Sequence, residues 1–258
     1  MADDPRGGWS MTLAGRIMHQ TLPTAAADRV AFAVNTYRRY RDLKRDLDAL
    51  RRQYAALNSL DERIDLLRGH QIFGAIQQHT EISGLLKILE QHPPRYVCEI
   101  GTASGGTLFL LAQVCAPAAL LISVDLGLSF ERCLVHARFA TRKQRIISIR
   151  GDSGAPATLK RVRSLLHGHP MDLLFIDGDH SYDAVKADFT HYSPLVRPGG
   201  LIALHDIVPD FNTRYGTPTG RYSGGVPAFW QEIKAQHNTS ELIEDPEQDG
   251  FGIGIVYP

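Results

Sequence analysis

Cysteine is scarce: three residues in 258, Cys98, Cys115 and Cys133, at wide spacings and in apolar surroundings. That spacing excludes a disulfide framework or a zinc knuckle and predicts reduced, packed thiols in a cytoplasmic setting. An excess of charge is also missing, since Lys plus Arg and Asp plus Glu both number 28. No overall field therefore draws the chain to nucleic acid or to an anionic membrane. No run reaches the ~18 apolar residues of a membrane span, and the opening MADDPRGGWSMTLAG lacks the basic start and apolar centre of a secretory signal. These absences predict a soluble, unexported chain without nucleic-acid or membrane partners.

What is present suits one sizeable α/β core with an appendage, as 43% of the residues are hydrophobic. The first ~25 residues show no sustained period and read as a loose arm. Residues 28–57 differ, because Leu43, Leu47, Leu50, Tyr54 and Leu57 recur at alternating spacings of four and three. This is a helix with one apolar seam beside a solvated charged face, and a second copy of the chain is the sharper candidate for covering that seam. Residues 71–91 read as a second amphipathic helix ending before Pro93-Pro94. We therefore expect residues 1–70 to form an arm and helical extension, serving as a lid or dimer element of a homo-oligomer, and residues 71–258 to form the main domain.

From residue 95 the pattern changes. RYVCEIG, LLISVDL, RIISIRGD, MDLLFIDGD and GGLIALHDI are short runs, apolar nearly throughout, separated by stretches long enough for crossover helices. Strands of this kind are covered by helices on both faces, so the expectation is a parallel, doubly wound Rossmann-like sheet. The tail TSELIEDPEQDGFGIGIVYP breaks step, with two β-like runs around a turn cluster, and predicts a hairpin closing one edge antiparallel.

Ligands of such sheets bind beyond the carboxyl ends of the strands. The first run ends in EIGTASGGT, where Glu99, Gly101, Thr102, Gly105, Gly106 and Thr107 make a glycine turn with an acid before it. Its spacing is not the G-x-G-x-x-G of a dinucleotide site, which counts against a nicotinamide-dependent oxidoreductase, and the acid suits a ligand bringing positive charge and amine donors. Asp125 ends the second run, where a carboxylate can take both hydroxyls of a ribose. Asp152 and Ser153 follow the third and could address an adenine amine.

In that order these residues resemble the class I S-adenosylmethionine-dependent methyltransferases, over roughly residues 70–258. FIDGDHSYDAVKADF, VRPGGLIALHDI and GGVPAFWQEI look more closely like the small-molecule O-methyltransferases related to catechol and macrolide-sugar methylation, many of them from glycan or natural-product clusters. The resemblance implies S-adenosylmethionine as cofactor and a sugar or aromatic hydroxyl as acceptor. It also implies a divalent cation, Mg²⁺ or Mn²⁺, held by Asp177 with the pair His205 and Asp206, and Asp179 or His180 as the base that takes the acceptor's proton. Asp177 could equally face the methionine part of the cofactor. His205 departs from the family's oxygen ligands, so a metal-free histidine base stays open, as does a softer metal.

Elsewhere, Asp183 and Asp188 read as solvated helix residues, and His136, His167, His169 and His191 as surface or packing groups. His70 and His79 stand where the family covers its cofactor. The stretch DFNTRYGTPTGRYSGGVPAFW reads as a binding loop in which Arg214, Tyr215, Arg221, Tyr222 and Trp230 are candidates to meet the acceptor. A non-catalytic cofactor-binding module is the remaining alternative.

Overall fold

A computed structural model describes residues 24–141 and 143–258. The arm expected over the first ~25 residues lies almost wholly outside them. Helix α1 (Thr24–Ala56), α2 (Leu60–Arg68) and α3 (His79–Gln91) precede a sheet whose strands alternate with helices. In chain order these are β1 (Tyr96–Ile100), α4 (Gly106–Val114), β2 (Leu120–Asp125), α5 (Phe130–His136), β3 (Arg145–Arg150), α6 (Pro156–Leu166), β4 (Met171–Ile176), α7 (Tyr182–Tyr192) and β5 (Val196–His205). Short α8 (Phe211–Tyr215), then α9 (Val226–Gln236), lead to β6 (Asn238–Leu242) and β7 (Ile253–Tyr257).

The seven strands lie in the order β3-β2-β1-β4-β5-β7-β6. All pairings among β1 to β5 are parallel, and β7 runs antiparallel between β5 and β6. The doubly wound sheet with its antiparallel edge hairpin is thus as the apolar runs led us to expect. Chain direction reverses outward between β1 and β4, which opens a crevice at their carboxyl ends.

Period-2 alternation sorts the strand residues. Cys98, Ile100, Leu174, Ile176, Ile202 and Leu204 face a core shared with α6, α7 and α9. Val97, Leu173, Phe175 and Ala203 face the opposite core, shared with α1 to α5. Glu99 and His205 have this second parity, so they project under α3.

The α1 seam packs into its own subunit: Leu47 and Leu50 are fully buried with Phe109 and Phe139, and Tyr54 meets Phe109 edge-on at 5.3 Å. At the start of the helix the large apolar side chains Val30, Phe32, Val34 and Tyr37 are exposed. Among the described residues no helix is long and apolar enough to cross a membrane.

The helix expected over 71–91 begins only at His79. Before it, the His70 ring accepts the N–H groups of Ile72 and Phe73 at 3.2 and 3.0 Å, and Ser104 Oγ donates to the Gly74 carbonyl at 2.7 Å. Local side-chain bonds of this kind compete with helix. A Cβ on Gly106 would stand 2.3 Å from the Gly74 backbone, so only glycine lets this segment cross the turn after β1. Its course delivers Gln77 to the strand ends.

Candidate active site

A cleft of about 730 Å³ opens at the carboxyl ends of β1 to β5. At one end lie Leu126, Asp152, Ser153 and Gly154; the middle is Gly101, Ala103 and Asp125; the other end holds Asp177, His180, Asp206, Arg221, Tyr222 and Phe251.

The glycine turn is built against β4. Gly101 has φ +82°, and a Cβ there would lie 1.7 Å from the Asp177 carbonyl oxygen, so the chain can pass only as glycine. Asp125 closes the turn from β2: one carboxylate oxygen accepts the Thr102 and Ala103 N–H groups at 3.0 and 2.7 Å, the other that of Gly127 at 2.7 Å. Asp152 holds its own loop by accepting from Gly154 N–H at 2.8 Å, while the Ser153 carbonyl takes the Tyr192 hydroxyl at 2.9 Å. Gly105 and Gly106 begin α4, and Thr107 Oγ1 donates to Gln77 at 2.7 Å.

Glu99 lies beneath the cleft rather than on its surface. It is fully buried, and neither carboxylate oxygen has a hydrogen-bond partner among the described residues. Burial, with Asp177 and Asp125 nearby, pushes it up to about 8, so it is neutral at physiological pH. Asp188 corrects an expectation. It is buried beside Ser153 and raised by burial to about 6, where the sequence had suggested a solvated position.

At the far end the ends of β4 and β5 converge. Asp177 and Asp206 both face His205 Nδ1, at 3.1 and 3.2 Å. His180 Nε2 approaches Asp206 at 3.3 Å and Asp177 at 3.8 Å. Gln77 Nε2 donates to the other Asp177 oxygen at 2.8 Å, and the Phe251 N–H donates to Asp206 Oδ1 at 3.1 Å. Asp206 and Phe251 both hold left-handed backbones, with φ of +61° and +64°, the kind of strain that persists where surroundings over-determine a site.

Charge follows geometry here. Burial opposes ionisation of Asp177, yet His205 and His180 hold it well below the usual carboxylate range. The Asp177 carboxylate, with the charge of Asp206, outweighs partial burial and raises His180 to about 9. Asp177 and Asp206 likewise overcome burial and raise His205 well above its ordinary value. Behind it, buried Glu81 accepts from Gln248 and from the Gly252 N–H at 2.6 and 3.0 Å, and burial raises its carboxyl above the usual range.

Asp177, His180 and Asp206 can each offer one ligand atom within 4.8 Å of the others, two carboxylates and an imidazole. The expected ligand set named His205 in the third place. Its Nδ1 lies buried between the same two carboxylates, and His180 reaches that space from the loop after β4. Asp179 is exposed at the cleft mouth, where one oxygen accepts the Ser181 N–H at 2.7 Å.

Sequence reasoning missed Gln77 and Glu81, which lie in and before α3 and carry no motif. Of the acceptor candidates only Arg221 and Tyr222 reach the cleft. Trp230 is buried, its indole N–H on Glu241 at 2.6 Å, and Arg214 and Tyr215 bond Glu247. His79 is tied to Asp61 and Asp65, and His70 to its own turn, so neither covers the cleft.

Residues 98–207, from β1 through the Asp206 end, match a protein family described as "Methyltransferase domain". This region is similar to methyltransferase domains. Two curated relatives, both uncharacterized, are similar to this chain: a protein of Sinorhizobium fredii, 25% identical over 174 residues, and one of Acanthamoeba polyphaga mimivirus, 32% identical over 129 residues. The alignments cover 62% and 48% of this chain, but only 17% and 57% of those proteins. Among solved structures, the O-methyltransferase from Bacillus cereus in complex with SAH shares the methyltransferase fold at a TM-score of 0.56 and 19% identity, over 83% of this chain and 90% of that one. The O-methyltransferase TomG from Streptomyces achromogenes, involved in tomaymycin synthesis and in complex with SAM, gives 0.51 and 19%, over 79% and 93%.

Proposed function

We propose that this domain moves the sulfonium methyl of S-adenosylmethionine to a hydroxyl of a sugar or other small molecule, with help from a divalent cation, in glycan or natural-product biosynthesis. The observation that carries the reading is the adjacency, in one cleft, of the glycine turn with Asp125 and the Asp177, His180 and Asp206 cluster. Asp125 and the Asp152 and Ser153 loop would receive ribose and adenine. The glycine turn, with Glu99 beneath it, would take the methionine part.

The cluster fits a cation by its chemistry, since two carboxylates and an imidazole suit Mg²⁺ and, better, Mn²⁺ or Fe²⁺. Asp177, His180 and Asp206 would hold it, and a cation there would lower the pKa of an acceptor hydroxyl. The chain's own groups do the rest. Gln77 and His205 fix the two Asp177 oxygens. The Phe251 N–H and His205 orient Asp206. Asp179, exposed at the mouth, accepts the acceptor's proton; His180, engaged with Asp177 and Asp206, is not free to do so. In-line transfer then needs only orientation of the hydroxyl against the methyl.

Calorimetry of the purified protein with SAH and with NADH tests the reading. We expect one-site binding of SAH and none of NADH. Binding of NADH without SAH would restore the oxidoreductase alternative and overturn the proposal.

A further inference from the structure

The cleft is acidic, with Asp125, Asp152, Asp177, Asp179, Asp188 and Asp206 along its wall, and Arg221 is the one Lys or Arg among the described residues lining it. Other arginines around it are engaged: Arg214 pairs with Glu247, and Arg132 and Arg150 donate to main-chain carbonyls. The Arg221 guanidinium instead lies over the Phe251 ring, 4.3 Å from its centroid, with no ion pair or side-chain hydrogen bond among the described residues.

This cation is joined to the reacting end through its support. Phe251 carries it on its ring and donates its N–H to Asp206. The next residue, Tyr222, accepts His180 Nδ1 on its carbonyl at 2.6 Å and stacks on the His180 ring at 6.1 Å. The Ser223 N–H donates to buried Asp210 at 2.7 Å, and the Gly225 N–H to the His180 carbonyl at 2.7 Å. Arg221 is exposed, and the ties of the residues that follow it, with the Phe251 ring beneath it, hold it beside the Asp206 end. A guanidinium on an aromatic face keeps its in-plane N–H fork free, and that fork matches carboxylate or phosphate oxygens.

Building on the methyltransferase reading, we propose that Arg221 receives an anionic group of the methyl acceptor, a carboxylate or phosphate borne near the hydroxyl to be methylated.

The test uses the SAH-loaded full chain and calorimetric titration with matched pairs: 3,4-dihydroxybenzoate against catechol, glucuronic acid against glucose, and glucose 1-phosphate against glucose. At least one anionic member should bind about ten- to a hundredfold tighter than its neutral partner, and R221Q should reduce that preference to about twofold or less. The pair that responds distinguishes a carboxylate from a phosphate. Three results overturn the proposal: no anionic member is preferred, the preference survives in R221Q, or R221Q weakens SAH itself, which would assign the arginine to the cofactor's own carboxylate. Failure of the wild-type chain to bind SAH is a separate outcome that removes the methyltransferase reading and this proposal with it.

Discussion

A cation that joins Asp177 and Asp206 through His180 must first displace a proton. His180 is held at about 9 by its carboxylate neighbours, so at pH 7 nearly every molecule carries the imidazolium, which cannot ligate a metal. Removing that proton at pH 7 costs about 2.7 kcal/mol, two units at 1.36 kcal/mol each. The sign is fixed by competition: metal and proton exclude each other, so the apparent affinity for Mn²⁺ should rise about tenfold per pH unit from pH 7 to about 9 and then level off. Calorimetry in two buffers of different ionisation enthalpy should show close to one proton released per Mn²⁺ at pH 7. His180→Ala should bind Mn²⁺ more weakly and without that slope. A wild-type affinity indifferent to pH, or a slope that persists in His180→Ala, would refute the assignment of His180 as ligand. Full activity after exhaustive chelation would remove the cation altogether.

Other outcomes follow from the same geometry. Asp179→Asn should lower turnover at least tenfold while Mn²⁺ affinity stays within about twofold, because a base is lost and a ligand is not; steady-state kinetics beside calorimetry reads both. Glu99 is neutral in the fold up to about 8 but ionises near 4.5 when unfolded, so it favours the fold most below pH 4.5, and that support drains away as pH rises toward 8. Glu99→Gln should remove the slope, raise the melting temperature of the ligand-free protein at pH 8 by roughly 5 °C, and weaken SAH binding. Asp125→Ala should cost about 1.5 to 3 kcal/mol of SAH affinity by calorimetry, and should also lower the melting temperature, because three backbone N–H groups lose their acceptor. Leu47→Ala and Leu50→Ala should each destabilise the chain by about 2 to 5 kcal/mol in urea, independently of protein concentration; a concentration-dependent loss would return the seam to an interface between copies.

The sheet was legible because its strands are covered on both faces, which writes each as an apolar run, and a charged residue ending such a run stands out. Asp125, Asp177 and Asp206 were found in this way. Gln77 could not be, because it meets Asp177 across 100 residues from a segment whose spacing reads as helix until the close passage of Gly74 over Gly106 is seen. Nor does a strand end say which ring a following loop brings back: His180, from the loop after β4, stands with Asp177 and Asp206 beside His205. The misreading of Asp188 is of another kind, since its signal was present. Val185, Asp188 and Tyr192 are buried together on α7 at helical spacing, the same rule by which Val226, Trp230 and Ile233 on α9 turn Trp230 into the core. A carboxylate within such a stripe is carried inward with its apolar neighbours and must find a polar partner or stay protonated. Asp188 does so beside Ser153, where both line the cleft.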